Sequence, residues 1–530
     1  MMLCACTALY TVGCSSDEGM DGKEDGNCRS TTGQAVTFTN KAETATTRTA
    51  ISYTKGNAAN VLWSAGDKIW VEDNTNNFVQ SLAGVFSADM KVGKFSVTGT
   101  FPATTQVHYT GGASATTVTI ANNQTQAAAN DFAHAGAVGD CAVGTASGSA
   151  TAGYQFTLNH KAAYLCLLPR SENSLIRGFV IQDVTVIADN DIAGDFSLSA
   201  SGLSATPSAN GSKSIKVTVP NLPLTNATSP ATNAIYVVMA PQTTALNIVY
   251  HLYNPALNFS GTITKNIPVQ AYAPGTIRDI TSKLGNDYTE EQKPYLWDAK
   301  KWVFDGQTEP YNMAGGGVQL GPSSNPMLPQ SKASDPDRWY NDELPGVAKN
   351  SCKDCPNGYQ MVWYGTHYPY FDAEELWTAD GKLYKGVLRF RKWNTLVADF
   401  GASKTSIPTT LPPSTTAWED GPGIPNGNNF NIGQGIPAPS DMTKYFALPA
   451  ALSSVAHQNN NFYAGKYASL VDDTNSYWAS SARPDGTLWF GGIPTACYLT
   501  YAPGGSILWV STGNYIERTR LSARFAIKFQ

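Results

Sequence analysis

The chain is poor in charge. Asp, Glu, Lys and Arg make up 15% of its 530 residues, too few for the charge-laced surfaces of helical proteins. It has no long hydrophobic run: past residue 14 nothing reaches the roughly 18 to 20 consecutive apolar residues that a membrane-spanning helix needs. It has no basic stripe either, and a net charge of -5 with a pI near 5.7 excludes the electrostatic footprint of a nucleic-acid binder. Nine cysteines are present, but Cys4, Cys6 and Cys14 crowd the first fourteen residues, and Cys28, Cys141, Cys166, Cys352, Cys355 and Cys497 are scattered, which is no disulfide framework. Cys352-Lys353-Asp354-Cys355 has CxxC spacing, yet a tetrahedral zinc site needs two further ligands and neither a second CxxC nor an HxxxH occurs. A local disulfide or two free thiols remain for that pair. No nucleophile with a partnered base and no paired carboxylates stand out, so the expectation is a non-enzyme with no metal and no cofactor.

What the chain does have is Thr, Ser, Asn, Gly and aromatic residues in quantity, the composition of β-sandwiches. Its length exceeds what one hydrophobic core serves, so two or three domains of a mainly β fold are expected. From about residue 33 strand follows strand. Ile215, Val217 and Val219 alternate with Lys216 and Thr218, and Leu246, Ile248, Tyr250 and Leu252 alternate with Asn247, Val249, His251 and Tyr253, the period of half-buried strands in a sandwich. Segments 145–153 and 206–212, rich in Gly, Ser, Thr, Asn and Pro, read as loops. The first is the expected boundary between one β-sandwich at 33–150 and a second at 151–285. Around 286–294 the composition turns charged and polar, and tryptophans become frequent afterwards. A third, loop-rich domain is expected over 295–530, with a Pro/Gly/Asn-rich stretch at 408–439.

The amino terminus reads as an address. A short apolar run ends in Thr11-Val12-Gly13-Cys14, which resembles a bacterial lipobox with Thr11 where that motif has leucine. The resemblance implies a lipoprotein signal at 1–14, lipidation of Cys14 and anchoring in the cell outer membrane. Residues 15–32 carry Ser15-Ser16-Asp17-Glu18, Asp21, Glu24 and Asp25, an acidic tether that cannot form a core. It resembles the stretch behind the lipidated cysteine of surface-exposed Bacteroidetes lipoproteins. A cleaved signal with a disordered linker is the alternative, and either one exports the chain.

Four motifs in register carry a wider resemblance. Thr47-Arg48-Thr49-Ala50-Ile51 with Trp63-Ser64-Ala65-Gly66-Asp67-Lys68-Ile69, then Phe156 to Leu165, Tyr236 to Gln242, and Pro274 to Ile280 resemble the Bacteroidales fimbrillin-like (type V pilin) family. That likeness implies two transthyretin-like β-sandwiches and polymerisation by strand exchange with other pilin subunits. In that family an arginine-directed protease removes the amino-terminal segment with the first strand. Arg48 and Thr49 are the matching residues, and Val36 and Phe38, alternating with Thr37 and Thr39, belong to the strand that would leave. An uncut linker at Arg48 is the alternative. His160, inside the second motif, reads as a hydrogen-bonded structural histidine.

The carboxy-terminal domain has its own resemblance. Cys355-Pro356-Asn357-Gly358-Tyr359 followed by Glu374-Glu375-Leu376, then Tyr445 to Ala450, Tyr477 to Ser481, Ala496 to Leu499 and Arg520 to Phe525, follow the order of the Fibrobacter succinogenes major paralogous domain. This implies an irregular α+β, C-type-lectin-like fold with a helix at 374–376. Trp339-Tyr340-Asn341-Asp342 and Glu309-Pro310-Tyr311-Asn312 only faintly resemble lectin calcium motifs. Clustered aromatics, with Trp418, Tyr463, Trp478 and Trp489 as candidate contacts, could stack on sugar rings or hold a protein partner; a core role is the simpler reading for most of them. The expected function is a tip or accessory subunit of a pilus, found in the fimbrium and adhering to a host glycan or protein through its last domain. The alternative is a surface lipoprotein that binds such ligands without polymerising.

Overall fold

The structure is a computed structural model. It describes residues 34–40, 50–53, 60–291, 293–308, 326–343, 348–357, 360–361, 364, 369–379, 381–400, 428–433, 442–449, 475–482, 488–489, 493–504, 507–517 and 522–524. Strands dominate, as the composition leads one to expect.

The first unit is built on an eight-stranded sheet. Its spatial order is Phe78–Gln80, Trp70–Glu72, Thr104–Tyr109, Ala142–Ser149, Gly153–His160, Ala35–Asn40, Gly93–Thr98 and Val85–Phe86. Val36, Phe38, Trp63, Phe95, Tyr109 and Phe156 form its core. The second unit is a sandwich. One layer runs Asn123–Thr125, Ser214–Pro223, Val180–Ala188, Gln242–Asn254 and Phe259–Tyr272; facing it is a three-stranded sheet of Ile235–Met239, Ala163–Arg170 and Ile277–Lys283. The inward residues read at 215–219 and 246–252 are as expected: Ile215, Val217, Val219, Leu246, Ile248, Tyr250 and Leu252 all lie in the shared core, while Lys216 and Thr218 face out; Asn247, expected on the other face, is also buried. Strand Ala163–Arg170 buries nearly every residue, because both of its faces are covered.

The expected boundary at 145–153 is not one. Ala142–Ser149 and Gly153–His160 form a single hairpin with eight facing pairs, from Ala142↔His160 to Ser149↔Gly153. The small residues that suggest a loop are there because the strands pack tightly: a Cβ on Gly144 would sit 1.9 Å from the Thr157 carbonyl oxygen. Strands Thr117–Ile120 and Asn123–Thr125, although earlier in the chain, pair with Ala193–Ser199 and Ser214–Pro223 of the second unit. The units therefore interleave in sequence. The second expected loop is also partly strand, Ala209–Ser212, paired to Ala193–Ser199.

The third unit continues the second unit's sheet. Edge strand Phe259–Tyr272 is joined by Tyr370–Ala379, then Lys382–Arg391 and Tyr445–Pro449. The approach is close enough that a Cβ on Gly261 would lie 2.5 Å from the Leu376 side chain and 2.8 Å from the Glu374 carbonyl oxygen. The helix expected at 374–376 is therefore a strand. Residues 375–379 are all buried, Glu375 making an ion pair with Arg389 under the junction, and a register shift between Asp372 and Leu376 breaks the alternation. Being covered on both faces by other strands outweighs any local helical preference.

Behind this junction lies a seven-stranded sheet with spatial order Pro294–Tyr295, Ser522–Arg524, Asn475–Ala482, Ile493–Gly504, Ile507–Glu517 and Asn428–Gly433, and Leu488–Trp489 alongside Ile493–Gly504. One helix, Trp393–Phe400, packs Trp393 and Leu396 into the core. Trp297, Trp377, Trp393 and Trp478 are fully buried, so for these residues aromatic richness is core material. Two of them stitch distant segments together: the Trp297 indole donates to the Ala479 carbonyl at 3.0 Å, and the Trp478 indole to that of Tyr295 at 2.9 Å.

Candidate functional site

Strand Ala35–Asn40 is short, but it lies in the interior of its sheet. It runs antiparallel to Gly93–Thr98 over five pairs, Ala35↔Thr98 to Thr39↔Lys94, and parallel to Gly153–His160 at Phe38↔Tyr154 to Asn40↔Phe156. Period two sends Val36, Phe38 and Asn40 inward, all at 1% exposure or less, and leaves Ala35 and Thr37 outward. The Phe38 ring stacks on Tyr154 at 4.7 Å and meets Phe101 edge-on at 5.1 Å. Asn40 is the polar end of the row. Its side-chain oxygen accepts from the Trp63 indole at 3.0 Å and from the Gly93 amide, and its NH2 donates to the Lys91 carbonyl at 3.2 Å. Trp63 is held in turn by Phe95 and Tyr109.

Beyond Ala35–Asn40, strand Ala50–Ser52 pairs with Asn60–Leu62, and the residue that follows is fastened to the second unit. The Tyr53 hydroxyl donates to Asp279, 3.0 and 2.9 Å from its two carboxylate oxygens, and the ring meets Tyr236 edge-on. Arg48 and Thr49, the expected processing residues, lie outside the described residues, as do Cys14, Trp418 and Tyr463. Both flanks of the segment expected to be processed are thus anchored, one in each unit. Trp489 lies on Leu488–Trp489, paired with Pro494 and Ile493. Trp478 is corrected: at 0% exposure with its indole bonded to Tyr295, it is a core residue and offers no face to a ligand.

The other clusters with chemical potential are closed. His160 is a structural histidine as expected, 2.8 Å from Asp140, which also accepts from the Tyr164 hydroxyl. Burial and the neighbouring Asp140 push the Tyr164 hydroxyl and the Cys141 thiol well up from their ordinary ranges, which suppresses nucleophilic character. Cys352 and Cys355 are both buried, and no disulfide joins them. Among the described residues no group of three or more His, Cys, Asp or Glu is placed to hold a metal. Asn341 and Asp342 do not converge as calcium ligands: Asn341 donates to Asp298 at 2.9 Å and Asp342 pairs with Lys332.

Sequence reading missed two residues of consequence. Asp298, fully buried, accepts from the backbone amides of Lys349, Asn350 and Cys352 and from Asn341, holding the loop that carries the CxxC. Asn40 closes the groove of the first strand. Asp298 has no local signal in the sequence, whereas Asn40 continues the 36–38–40 alternation and could have been found there.

No family profile matches this chain, and no curated protein matches it. Among solved structures it is similar to a candidate cell adhesion protein from Bacteroides ovatus (13% identity, 47% of this chain and 93% of that one, TM-score 0.31). A candidate cell adhesion protein from Bacteroides uniformis stands close to that (15% identity, 47% and 94%, TM-score 0.29). A fimbrial protein from Bacteroides ovatus is similar at 11% identity over 93% of this chain and 98% of its own, with a TM-score of 0.23. At these TM-scores the likenesses carry no weight by themselves, and the reading of function rests on the groove.

Proposed function

We propose that the chain is a tip or accessory subunit of a surface fibre of the fimbrillin type, built by strand exchange and adhering through its last domain. The observation that carries this reading is the position of Ala35–Asn40: an interior strand followed directly by the segment that contains Arg48. Cutting after Arg48 severs this strand from the rest of the chain. Once it leaves, the edges of Gly93–Thr98 and Gly153–His160 lose their ladder partners, and the sites of Val36 and Phe38 open to water. Burying each such side chain is worth about 1.5–3 kcal/mol, and exposed strand edges recruit strands from other chains. A donor strand from a neighbouring subunit satisfies both needs. The acidic tether and lipidated Cys14 hold the precursor at the outer membrane until it is cut.

The third unit supports the tip or accessory assignment. Its strand Ser522–Arg524 is paired on both sides, with Pro294–Tyr295 and Asn475–Ala482, so it is engaged at home and is not a free donor. The third unit continues the edge of the second unit's sheet, and in this reading it is the part that meets a host glycan or protein. The test is to treat the exported chain with an arginine-specific protease and follow its amino terminus and mass. The expected product begins at Thr49 and runs as SDS-resistant ladders with pilin partners. A chain that stays monomeric, membrane-bound and lipidated at Cys14 would overturn fibre assembly and leave a surface-binding lipoprotein.

A further inference from the structure

Resting on the strand-exchange reading, we propose that the groove selects its incoming strand by hydrogen bonding as well as by shape: the donor must carry a carboxamide two residues after a buried aromatic, in the pattern apolar–x–aromatic–x–Asn. Three polar groups converge at one end of the groove. The Trp63 indole N–H and the Gly93 amide point at the Asn40 side-chain oxygen, and the Lys91 carbonyl faces its NH2. Two donors and one acceptor around a single position match a carboxamide and nothing simpler.

The alternatives fail on physical grounds. Leucine in that place is more apolar, but it would leave the buried Trp63 indole and Gly93 amide without partners, and each such group costs more than an apolar contact returns. Aspartate could accept from both donors, but it would bring a carboxylate against the Lys91 carbonyl. Beside this polar end lies the aromatic site, where Phe38 fits between Tyr154 and Phe101.

The carboxamide also fixes register. A sheet strand that slips by two residues keeps its apolar face inward, so a donor of alternating apolar residues would fit the groove in several positions. A slip by two would put Phe38 at the Asn40 position, opposite the indole and amide donors. One buried amide pairing thus selects a single alignment, as a lone polar residue does in coiled-coil cores.

The full chain, nicked after Arg48 and checked by its amino-terminal sequence, is unfolded and refolded with excess labelled peptide matching residues 34–41. Peptides with Asn40→Leu and Asn40→Asp are run beside it, and bound label is read by anisotropy. The native peptide is expected to bind, the leucine peptide at least about tenfold more weakly despite its greater hydrophobicity, and the aspartate peptide in between. In a Trp63→Phe chain, which lacks the indole donor, the gap between native and leucine peptides should narrow. Equal or tighter binding of the leucine peptide would overturn the selection rule while leaving strand exchange intact. Failure of every peptide to bind would overturn strand exchange, and this rule with it.

Discussion

Two strand additions in this molecule look alike on paper and differ in consequence. Ala35–Asn40 enters the interior of the first sheet, with ladder contacts on both sides and, in the proposed function, a connection that a protease cuts. Tyr370–Ala379 joins the outer edge of the second sheet, in parallel at Thr262↔Glu375, where Gly261 leaves room for Leu376, and a buried Glu375–Arg389 ion pair ties it to its own hairpin partner Lys382–Arg391 beside that edge. The first addition is held by side chains that another strand could supply, namely two apolar residues and one amide. The second carries, within its own hairpin, a charge pair that has no meaning outside this arrangement, because either partner alone would be a buried, uncompensated charge. An exchangeable strand needs generic contacts with one specific lock, whereas a permanent junction can use contacts that nothing else could replace.

That contrast can be broken most severely at Phe38. Phe38→Asp removes the aromatic and buries a carboxylate, a loss of more than about 5 kcal/mol against the first core; the first unit should fail to fold, while calorimetry still shows a cooperative transition from the other two. Survival of the first unit's transition would mean that Ala35–Asn40 is not part of its stable core.

Glu375→Ala leaves Arg389 buried without its partner and is expected to cost about 3–5 kcal/mol, loosening the hairpin Tyr370–Ala379/Lys382–Arg391 that carries the contact with the second sheet. Limited proteolysis should then cut near residues 286–294, where the intact protein resists. A variant as resistant as the native chain would show that the ion pair does not brace the hairpin at the junction.

Gly261→Val is milder, at about 1–3 kcal/mol, because Leu376 and the Glu374 carbonyl must move apart. Hydrogen exchange should rise in Phe259–Tyr272 and Tyr370–Ala379 and stay unchanged in the first sheet. Exchange rising equally in both sheets would sink the assignment of this glycine to the junction.

The smallest effect is electrostatic. Lys283 and Arg170 hold the exposed Glu172 carboxyl down to about 2, from an ordinary 4.5, at 2.6 and 2.7 Å. A depressed carboxylate contributes stability that is present above pH 4.5 and disappears as the pH falls through about 2. Being exposed, the pair is screened, so Glu172→Gln should flatten the acid limb of second-unit stability only slightly, and less still at high salt. An unchanged acid limb would remove Glu172 from the account.

Much of the architecture was legible in residue order. The alternations at 36–38, 215–219 and 246–252 are properties of adjacent residues, and a period of two needs no partner to be recognised. The β class and the structural role of His160 came from the same local information. Misreadings arose where small residues looked like a loop at 145–153, and where Glu374-Glu375-Leu376 resembled a helix. In both places the deciding contact comes from a strand elsewhere in the chain: Thr157 against Gly144, and Phe259–Tyr272 against Leu376.

The sequence by itself determined which residues face inward along each clear strand, because side-chain direction follows from backbone geometry alone. Only the tertiary structure decided which strands become neighbours, and that choice governs the rest. It places Ala35–Asn40 between Gly93–Thr98 and Gly153–His160, brings Trp63, Gly93 and Lys91 around Asn40, and buries Glu375 beneath Arg389. Pairing between distant segments is fixed by the burial and hydrogen bonding of the whole sheet, and a buried amide or ion pair has no local pattern that marks it before the chain folds.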